Sequence, residues 1–562
     1  MDMPVFQNIT YERPSIEEFK ECAMRVRLKI MTARSAEHIE SALTEFQKEY
    51  SRFETAVSVC MIRHDADVKD EFYLEEMRFF EETSAIVAEL VSSIFTALLN
   101  VEHISSCKEK FGEMIFLKAQ NKKESISKDI VDLLVREAAL KNQYGQLISS
   151  AEINFKGSVY NLSTIEPFTE NIDRNTRREA EFACSQFYSE QKEQMDQIFQ
   201  EMVEIRTSMA QILGYENFVE LGYKRMERYD YTPDMVKNFR EMILQYVVPV
   251  TVEIRRLQEE RLGQNALKYY DLKNLFARGN PEPDVDVSDF TKAASRMFQS
   301  IFETDPSFFD VLSSHGFTDI IARQNKSSGG YCTTILDYGI PYIFMNANKI
   351  AGDVTTLIHE SGHAYAAIRS VDSSPFIECI SPTLEACEIH STAMEYLSYP
   401  FIEYFFGKKS EAYREMHMTQ SLLFLPYGCM VDEFQHIIYE NPAMSPAERD
   451  IAWRDLEKKY QPFLDYDGIP FYENGGAWQK KMHIFTDPFY YIDYCLAQIT
   501  ALEIWDISRK DYKKALQQYD QFCMEGGNSA FLDLLARAQL SSPFEKDTVK
   551  RVIFQACSFL KI

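Results

Sequence analysis

Apolar residues recur at helical spacing along most of this chain. Residues 15–150 repeat them every three to four positions with charged residues between, and glycine is nearly absent there. Residues 175–260 continue the pattern after a short interval, and at YDYTPDM Pro233 fits the first turn of a new helix. The pattern resumes at residue 353 and runs to the end of the sequence. We therefore expect a mostly α-helical protein.

Three stretches depart from this periodicity. RGNPEPDVDVSDF at 278–290 is rich in Pro, Asp and Gly and predicts a loop. Residues 325–346 combine paired glycines with β-branched and aromatic residues, which predicts a small β element. FYENGGAWQKK at 471–481 predicts a mobile, glycine-rich loop between helices.

Charge and cysteine usage narrow the class of protein. The 562 residues include 60 Lys and Arg against 86 Asp and Glu, so the net charge is −26. Because no strong basic run is present, this acidity argues against nucleic acid and anionic lipid as partners. The eleven cysteines are scattered and form no CxxC pair. Such usage favours reduced thiols in the cytoplasm over a disulfide framework.

Neither a signal peptide nor a membrane span is expected. The N-terminal sequence lacks a basic segment followed by an apolar one. SAIVAELVSSIFTALLNV at 84–101 carries Glu89 and is short for a span, so we interpret it as a core helix. A chain of this length can form one body with two lobes.

The strongest chemical signal is DVTTLIHESGHAYAAI at 353–368. On a helix with Asp353 as its N-cap, His359 and His363 lie on one face, one turn apart. Two imidazoles so placed can bind Zn²⁺, and Glu360 can take a proton from a water molecule there. The alternative is a chance match on a structural helix. Polar side chains without partners are rare inside an apolar helix, which favours the zinc site.

A catalytic zinc site also needs a third protein ligand and an open position. SPTLEACEIHSTAMEYLSYPF at 381–401 predicts a second helix with Glu385, Glu388 and Glu395 near one face. Spacing alone does not choose between Glu385 and Glu388. His390 points away from that face, which favours a hydrogen-bonding role. The alternative for the three glutamates is a solvated helix stripe.

Hydrolysis of a peptide also needs hydrogen-bond donors for the oxyanion. KMHIFTDPFYYIDYCLAQIT at 481–500 contains His483 and then Tyr490, Tyr491 and Tyr494, three or four residues apart. A phenol donates without carrying a charge, which suits an oxyanion beside a metal. The alternative is an aromatic core stripe.

The predicted β element suggests how a substrate is held. An extended peptide can pair with an exposed strand through backbone hydrogen bonds, whatever its side chains. Gly329 and Gly330, followed by Tyr331, permit a close approach of this kind. A purely structural hairpin is the alternative.

Taken together, five motifs resemble the M3 family of zinc peptidases and its oligoendopeptidase F branch, which includes the Pz-peptidase type of oligopeptidase. The resemblance runs from about residue 150 to the C-terminus. The motifs are LGYENFVELGYKRMERYDYTPDMVKNFRE at 213–241, GGYCT at 329–333, HESGHA at 359–364, EACEIHSTAMEYL at 385–397 and HIFTDPFYYIDYCLA at 483–497.

The resemblance implies a mostly helical, two-lobed zinc-peptidase fold with a deep substrate channel and a small β element near the active site. Residues 1–150 would form an N-terminal helical lid lobe, and residues 151–562 the catalytic region. Only an unstructured chain enters such a channel, so the substrates implied are short peptides.

The resemblance also assigns residues. The family's third ligand is a Glu seven positions before another Glu, and this register selects Glu388, with Glu395 following. The implied ligands of one zinc per chain are His359, His363 and Glu388. Glu360 is then the base, and Glu395 and Glu385 are candidates for orienting the ligands.

The remaining family positions fall on the C-terminal aromatic segment and the β element. His483 and Tyr494 are implied for oxyanion stabilisation, and Tyr490 and Tyr491 for substrate binding. Here IFTDPF replaces the glycine-rich loop that other members have between the His and its tyrosines. The segment from Gly329 through Tyr331 is implied to begin the strand that pairs with the peptide.

The leading hypothesis is therefore a cytoplasmic zinc oligoendopeptidase that cuts internal bonds of short peptides. It implies peptide substrates, no nucleic-acid or membrane partner, and a monomer or small homo-oligomer. A zinc carboxypeptidase or dipeptidase of similar architecture is the first alternative. A non-catalytic peptide-binding protein and a structural zinc protein are weaker ones, because the base is present and no cysteine pair closes the site.

Overall fold

Helices form the frame of the protein, as the sequence pattern predicts. The computed structural model describes residues 3–303 and 308–562, which are mostly α-helical. Ser15, Ser35 and Asp70 each cap a long N-terminal helix by accepting a hydrogen bond from its first turn. The N-terminal helices are α1 (Ile16–Met31), α2 (Ala36–Ala66), α3 (Glu71–Leu99), α4 (Ile104–Phe111), α5 (Met114–Ser125) and α6 (Val131–Ser149).

Helices α1–α5 enclose a hydrophobic core of their own, called here the N-terminal core. Buried aromatic residues such as Phe19 and Phe95 contribute to it. By length and composition α3 could cross a membrane, but 44% of its most apolar window is buried inside the protein. Its Val91 and Ile94 lie in the N-terminal core. This burial agrees with the core helix predicted for residues 84–101.

A second, larger hydrophobic core gathers the elements from α6 onward. Pro233 occupies the first position of its helix, as predicted, and most of the predicted loop 278–290 lies between α11 and α12. The helices of this middle region are α7 (Glu166–Thr169), α8 (Arg174–Ile212), α9 (Phe218–Arg225), α10 (Pro233–Tyr246), α11 (Val248–Leu262), α12 (Phe290–Ile301) and α13 (Phe308–Ser314).

The C-terminal helices build the candidate site, and α15 packs directly against both α14 and α21. They are α14 (Ala351–Ser370), α15 (Leu384–Leu397), α16 (Glu403–Phe406), α17 (Ser410–Glu440), α18 (Pro446–Tyr460), α19 (Pro470–Glu473), α20 (Met482–Thr486), α21 (Tyr491–Lys510), α22 (Tyr512–Glu525), α23 (Phe531–Arg537) and α24 (Lys546–Leu560).

The stretch 471–481 is not the mobile loop predicted from its glycines. It forms short helical turns, and the fully buried Trp478 donates from its indole N–H to Asp450 over 2.9 Å. A Cβ at Gly475 would lie 2.2 Å from the backbone oxygen of Asp450. The glycine therefore permits close packing here, and the prediction of a mobile loop was wrong.

Two small sheets complete the fold. An antiparallel hairpin of β1 (Ile153–Phe155) and β2 (Ser158–Tyr160) was not predicted. The second sheet has the order β3-β5-β4 and contains β3 (Thr318–Ile321), β4 (Tyr331–Ile335) and β5 (Ile340–Ala347). Strand β5 pairs in parallel with β3 and antiparallel with β4. The predicted β element is thus present, and β4 is one of the two edge strands of this sheet.

Polar contacts join the two hydrophobic cores. The buried Lys118 of α5 forms an ion pair with Glu227 at 2.7 Å. The Ser58 hydroxyl of α2 donates to the backbone oxygen of Thr334 in β4 at 3.4 Å. Two cores joined in this way agree with the two-lobed fold predicted from the sequence.

Candidate active site

The helix that carries the H-E-x-x-H motif begins at Ala351, earlier than predicted. The Asp353 carboxylate accepts from the backbone N–H groups of Ile350 at 2.9 Å and Asn348 at 2.6 Å. Asp353 therefore stabilises the helix start from inside the first turn. Its prediction as the N-cap was wrong, because the chain turns into the helix two residues before it.

His359 and His363 lie one turn apart on α14, and Glu388 reaches both from α15. The Oε2 atom of Glu388 lies 3.2 Å from Nε2 of His359 and 3.7 Å from Nε2 of His363. Two atoms bound tetrahedrally to one zinc at about 2.1 Å would be about 3.4 Å apart. One ligand atom from each residue lies within 4.8 Å of the others. The three residues therefore fit a single cation.

A chain of hydrogen bonds orients the His359 ring through its Nδ1 atom. Its Nδ1 lies 2.7 Å from Oε1 of Glu395, whose Oε2 lies 2.6 Å from Nε2 of His417. The Nδ1 atom of His417 is in turn 2.7 Å from the hydroxyl of Tyr399. Because Nδ1 of His359 donates to a carboxylate, Nε2 is the nitrogen available to a cation, and it is directed at Glu388 and His363.

Burial and charge set the protonation states of the cluster. Burial lowers the pKa of His363 to about 4, so this imidazole is neutral. Burial alone would raise the pKa of Glu388, but its contacts with His359, His363 and Tyr490 together outweigh burial and hold the pKa at about 2. Burial would likewise lower the pKa of His359, but Glu388 and Glu395 raise it well above its usual value. This surplus of negative charge suits a divalent cation, which competes with the proton on His359.

Glu385 lies in a different environment from the other two glutamates of α15. It is fully buried, and it accepts a hydrogen bond from the Thr383 hydroxyl at 2.7 Å. Burial and the charge of Asp493 raise its pKa. The structure thus brings Glu388 and Glu395 to the histidines but not Glu385.

A cleft of about 340 Å³ opens beside the cluster. The side chain of Glu360 lines it, although the residue is only 6% exposed. Burial raises the pKa of Glu360 to about 7. A carboxyl group with this pKa can both take up and release a proton near neutral pH.

Helices α14 and α15 approach each other closely at Gly362. A Cβ on Gly362 would lie 2.5 Å from the backbone oxygen of His390 and 2.8 Å from Cα of Ser391. His390 was expected to point away from the ligand face, but it lines the cleft. Its Nε2 is buried and has no hydrogen-bond partner in the part of the chain that the structure describes. It lies outside the three-residue cluster.

The predicted tyrosines divide into two groups. Tyr490 and Tyr494 line the cleft, and the Tyr490 hydroxyl donates to Oε1 of Glu388. Tyr491 is only 7% exposed, and its hydroxyl accepts from the Lys481 ammonium at 3.0 Å. The structure thus places Tyr491 behind the cleft wall.

His483 packs against this tyrosine group. Its ring centroid lies 5.0 Å from that of Tyr491 and 5.9 Å from that of Tyr494. Burial lowers its pKa to about 4, so the ring is neutral. Its Nδ1 is buried without a hydrogen-bond partner among the described residues. The residue is close to the cleft but is not part of its lining.

The edge strand forms the opposite wall. Gly330 and Tyr331 line the cleft, and the Tyr331 ring stacks on Phe344 with centroids 4.9 Å apart. Gly329 precedes them with a positive φ of 92°, which a residue with a side chain rarely adopts. The structure therefore turns the chain at Gly329 and presents β4 to the cleft from Gly330 onward.

Comparison with known proteins identifies the family of this chain. Residues 168–552 match the model of peptidase family M3, and residues 6–126 match the N-terminal domain of M3 peptidases. The chain belongs to peptidase family M3. Membership confirms the resemblance, the helical fold and the metalloendopeptidase class predicted from the sequence.

Individual M3 relatives are similar over almost the whole chain. A solved structure of Pz peptidase A with an inhibitor is 41% identical, covers 99% of both chains and superposes with a TM-score of 0.96. A structure assigned as oligoendopeptidase F from Bacillus anthracis is 37% identical over 100% of this chain and 99% of its own, with a TM-score of 0.92. Oligopeptidase PepF from Bacillus subtilis is 22% identical over 91% of this chain and 79% of its own.

Sequence reasoning missed two residues of this M3 site. His417 and Tyr399 continue the hydrogen-bond chain behind Glu395. Neither belongs to a recognisable motif, because His417 lies on α17 and Tyr399 follows α15. Only the packing of these elements brings them together.

Proposed function

We propose that this M3 peptidase is a zinc oligoendopeptidase in which His359, His363 and Glu388 hold one zinc per chain. The observation that carries the proposal is the fit of these three side chains to a single cation, with Glu388 at 3.2 Å and 3.7 Å from the two imidazoles. Zinc bound there supplies a Lewis acid that acidifies water and polarises a carbonyl group.

Glu360 is the general base in this proposal. It is adjacent to His359 in sequence, lines the same cleft and is almost fully buried. Its carboxylate accepts a proton as water attacks the scissile carbonyl, and it then delivers that proton to the leaving amine. A buried carboxylate is suited to both steps because little water competes for the proton.

Tyr494 is the proposed donor to the oxyanion. It lines the cleft, whereas the hydroxyl of Tyr490 is already engaged with Glu388. Tyr490 then fixes the orientation of the third ligand and contacts substrate from the same wall. Tyr491 and His483 support these tyrosines from behind, through the ring contacts described above.

The edge of β4 is the proposed binding strand for the peptide backbone. Thr334 pairs with Pro341, which has no N–H to donate, so this pair cannot exchange ladder hydrogen bonds. Alternation along an antiparallel pair then directs the backbone N–H and C=O groups of both Cys332 and Thr334 away from β5. Both residues line the cleft, so an extended substrate can pair with Cys332 and with the N–H of Thr334, whose C=O already accepts from Ser58.

The proposed lid lobe and the volume of the cleft bear on the size of the substrate. We propose that residues 1–150 act as a lid lobe over a catalytic region of residues 151–562, with Gly329, Gly330 and Tyr331 at the start of the binding strand. A cleft of about 340 Å³ admits only a few residues of an extended chain. We propose short, unstructured peptides as the substrates, and neither nucleic acid nor membranes as partners. We further propose a cytoplasmic location and a monomer or small homo-oligomer.

A carboxypeptidase would need a cation to bind the free carboxylate of its substrate. Among the described residues that line the cleft, none is lysine or arginine. This composition favours cleavage of internal bonds.

The test uses quenched short peptides with both ends blocked, in the presence and absence of a chelator. We expect internal cleavage that stops on chelation and returns with zinc. Glu360→Gln should keep its zinc and lose at least about 100-fold in kcat, since general-base catalysis contributes about 10²–10⁴. Glu385→Gln, a buried carboxyl on the next helix, is the matched control and should stay active. Full activity of Glu360→Gln, or cleavage only of peptides with free C-termini, would overturn the proposal.

A further inference from the structure

The turn that leads into the tyrosine helix has an unusual backbone. Phe489 adopts a positive φ of 71°, a conformation that costs energy for a residue with a Cβ. It lies between α20, which carries His483, and α21, which carries Tyr494. The direction change at Phe489 brings those two rings to 5.9 Å. The backbone here thus determines where the cleft-lining tyrosines lie.

Two buried side chains hold the peptide groups of Phe489. The Nη2 atom of Arg228 donates to the Phe489 backbone oxygen and also to Oδ1 of Asp493 at 2.8 Å. The Phe489 N–H donates to Oε1 of Gln435 at 2.9 Å. The side chains of Arg228 and Asp493 are both 0% exposed. Asp493 is itself on α21, between the two cleft tyrosines in sequence.

The ring of Phe489 is closely packed, in addition to the hydrogen bonds that its backbone makes. A Cβ at Gly222 would lie 2.5 Å from the Phe489 ring, so α9 packs against this ring without an intervening side chain. Arg228 follows α9 in sequence and lies over the Tyr223 ring at 4.3 Å. The motif at 213–241, which the proposed chemistry does not use, therefore shares the packing around Phe489 with His436 and Tyr439 of α17.

A second arginine donates a hydrogen bond to the backbone of the same segment, four residues before Phe489. Arg206 of α8 is fully buried and donates to the backbone oxygen of Phe485 in α20. Its other nitrogens donate to Glu137 and to the Tyr439 hydroxyl, each at 2.7 Å. The chain from Phe485 to Phe489 is thus anchored through two backbone carbonyls.

We propose that Arg228 is a positioning residue for catalysis: by holding Phe489 in its left-handed conformation, it places Tyr490 and Tyr494 at the cleft. The inference rests on the roles proposed above for these tyrosines. Arg228 touches neither the cleft nor the metal cluster, so it acts only through the segment it holds. Both contacts come from one guanidinium nitrogen, Nη2, while the guanidinium lies over the Tyr223 ring at 4.3 Å, a combination that a lysine ammonium reproduces poorly.

Arg228→Lys is the first test, with kcat, KM and zinc content measured together. A tyrosine displaced by about 1 Å costs up to about 100-fold in rate. We expect kcat to fall about 10- to 100-fold, KM to change less than about threefold, and zinc per chain to stay constant. Arg177→Lys is the matched control, since Arg177 is also buried and donates to a carboxylate, Asp271, and to a backbone oxygen, that of Tyr270. It should leave kcat within about twofold, because the segment that Arg177 holds, Tyr270 and Asp271, contributes no residue to the cleft lining.

A double-mutant cycle separates positioning from general stability. If Arg228 acts through Tyr490 and Tyr494, adding Arg228→Lys to a variant that already carries Tyr490→Phe and Tyr494→Phe should cost less than about threefold in kcat. Should Arg228→Lys not accumulate as folded protein, Asp493→Asn keeps the arginine and weakens its hold, and the same pattern is expected. Wild-type kcat in Arg228→Lys, an equal loss in Arg177→Lys, or fully additive losses in the cycle would overturn the inference. Failure of the proposed function would be recognised separately, as absence of peptide cleavage by the zinc-loaded wild type.

Discussion

Glu395 offers a sharp test of how the metal cluster is built, because it touches no substrate and binds no cation itself. It accepts from Nδ1 of His359 at 2.7 Å and lies 2.6 Å from Nε2 of His417. Glu395→Gln keeps the shape and one acceptor oxygen but removes the charge. Glu395→Ala removes both contacts and leaves His359 without its partner.

The expected magnitude follows from these contacts. Partners that orient a metal-bound histidine contribute about 10- to 100-fold in affinity, which is about 1.4–2.7 kcal/mol. We expect about tenfold weaker zinc binding for Glu395→Gln, because its amide oxygen still accepts from His359. For Glu395→Ala we expect the upper end, near 100-fold, since a buried donor is left unsatisfied.

The assay is competition between the protein and a zinc chelator of known affinity, followed by metal analysis of the dialysed protein. Glu385→Gln is the control on the same helix. Burial and Asp493 raise the pKa of Glu385, so its carboxyl group tends toward the neutral form that a glutamine imitates. Wild-type zinc affinity in Glu395→Ala, or an equal loss in Glu385→Gln, would refute the reasoning.

Three further predictions address the substrate strand, the cleft wall and stability. Cys332→Pro removes a backbone N–H that faces away from β5, so KM should rise about tenfold or more. The control Cys332→Ala keeps this N–H and should leave KM within about twofold of the wild type. Equal KM values for the two variants would contradict pairing of the substrate at this edge. Tyr490→Phe removes the hydroxyl bound to the third cluster residue and should lower kcat about tenfold, while Tyr491→Phe should have little effect. Glu137→Gln should lower the free energy of unfolding by about 3–5 kcal/mol at neutral pH, because it leaves the buried Arg206 without its charge partner. Burial would raise the pKa of Glu137, but neighbouring arginines hold it well below its usual value. The stabilising effect of Glu137 is therefore present above about pH 4.3 and is lost as the pH falls through the lowered pKa. Thermal unfolding of the wild type and Glu137→Gln at pH 7 and pH 3 should show that the difference in stability shrinks in acid.

Local sequence patterns predicted which helices carry the site residues better than they predicted the tertiary contacts of those residues. Helical periodicity placed both histidines on one face of α14 and the glutamates on α15. The choice between Glu385 and Glu388 came only from the family register, because both fit the same helix face. Their environments differ through tertiary contacts, since Glu385 meets the Thr383 hydroxyl and lies near Asp493.

The errors have a common physical origin. Glycines at 475 and 476 were interpreted as a loop signal, yet Gly475 permits contact with the backbone of α18 and Gly476 permits contact with the Phe471 ring. The hairpin β1–β2 was missed because its strands have only three residues each, too few for a visible alternation. Packing between distant segments decided these cases, and a single sequence contains no direct record of it.

Gly362 has no functional side chain, yet its small size affects the geometry of the proposed metal site. Its missing side chain lets the main chain of Ser391 and His390 lie against α14. Even a methyl group at 362 would wedge the two helices apart and draw the third ligand away from the imidazole pair. A homologous chain that keeps every ligand but carries a bulkier residue at this point should therefore be screened as a candidate inactive member of the family.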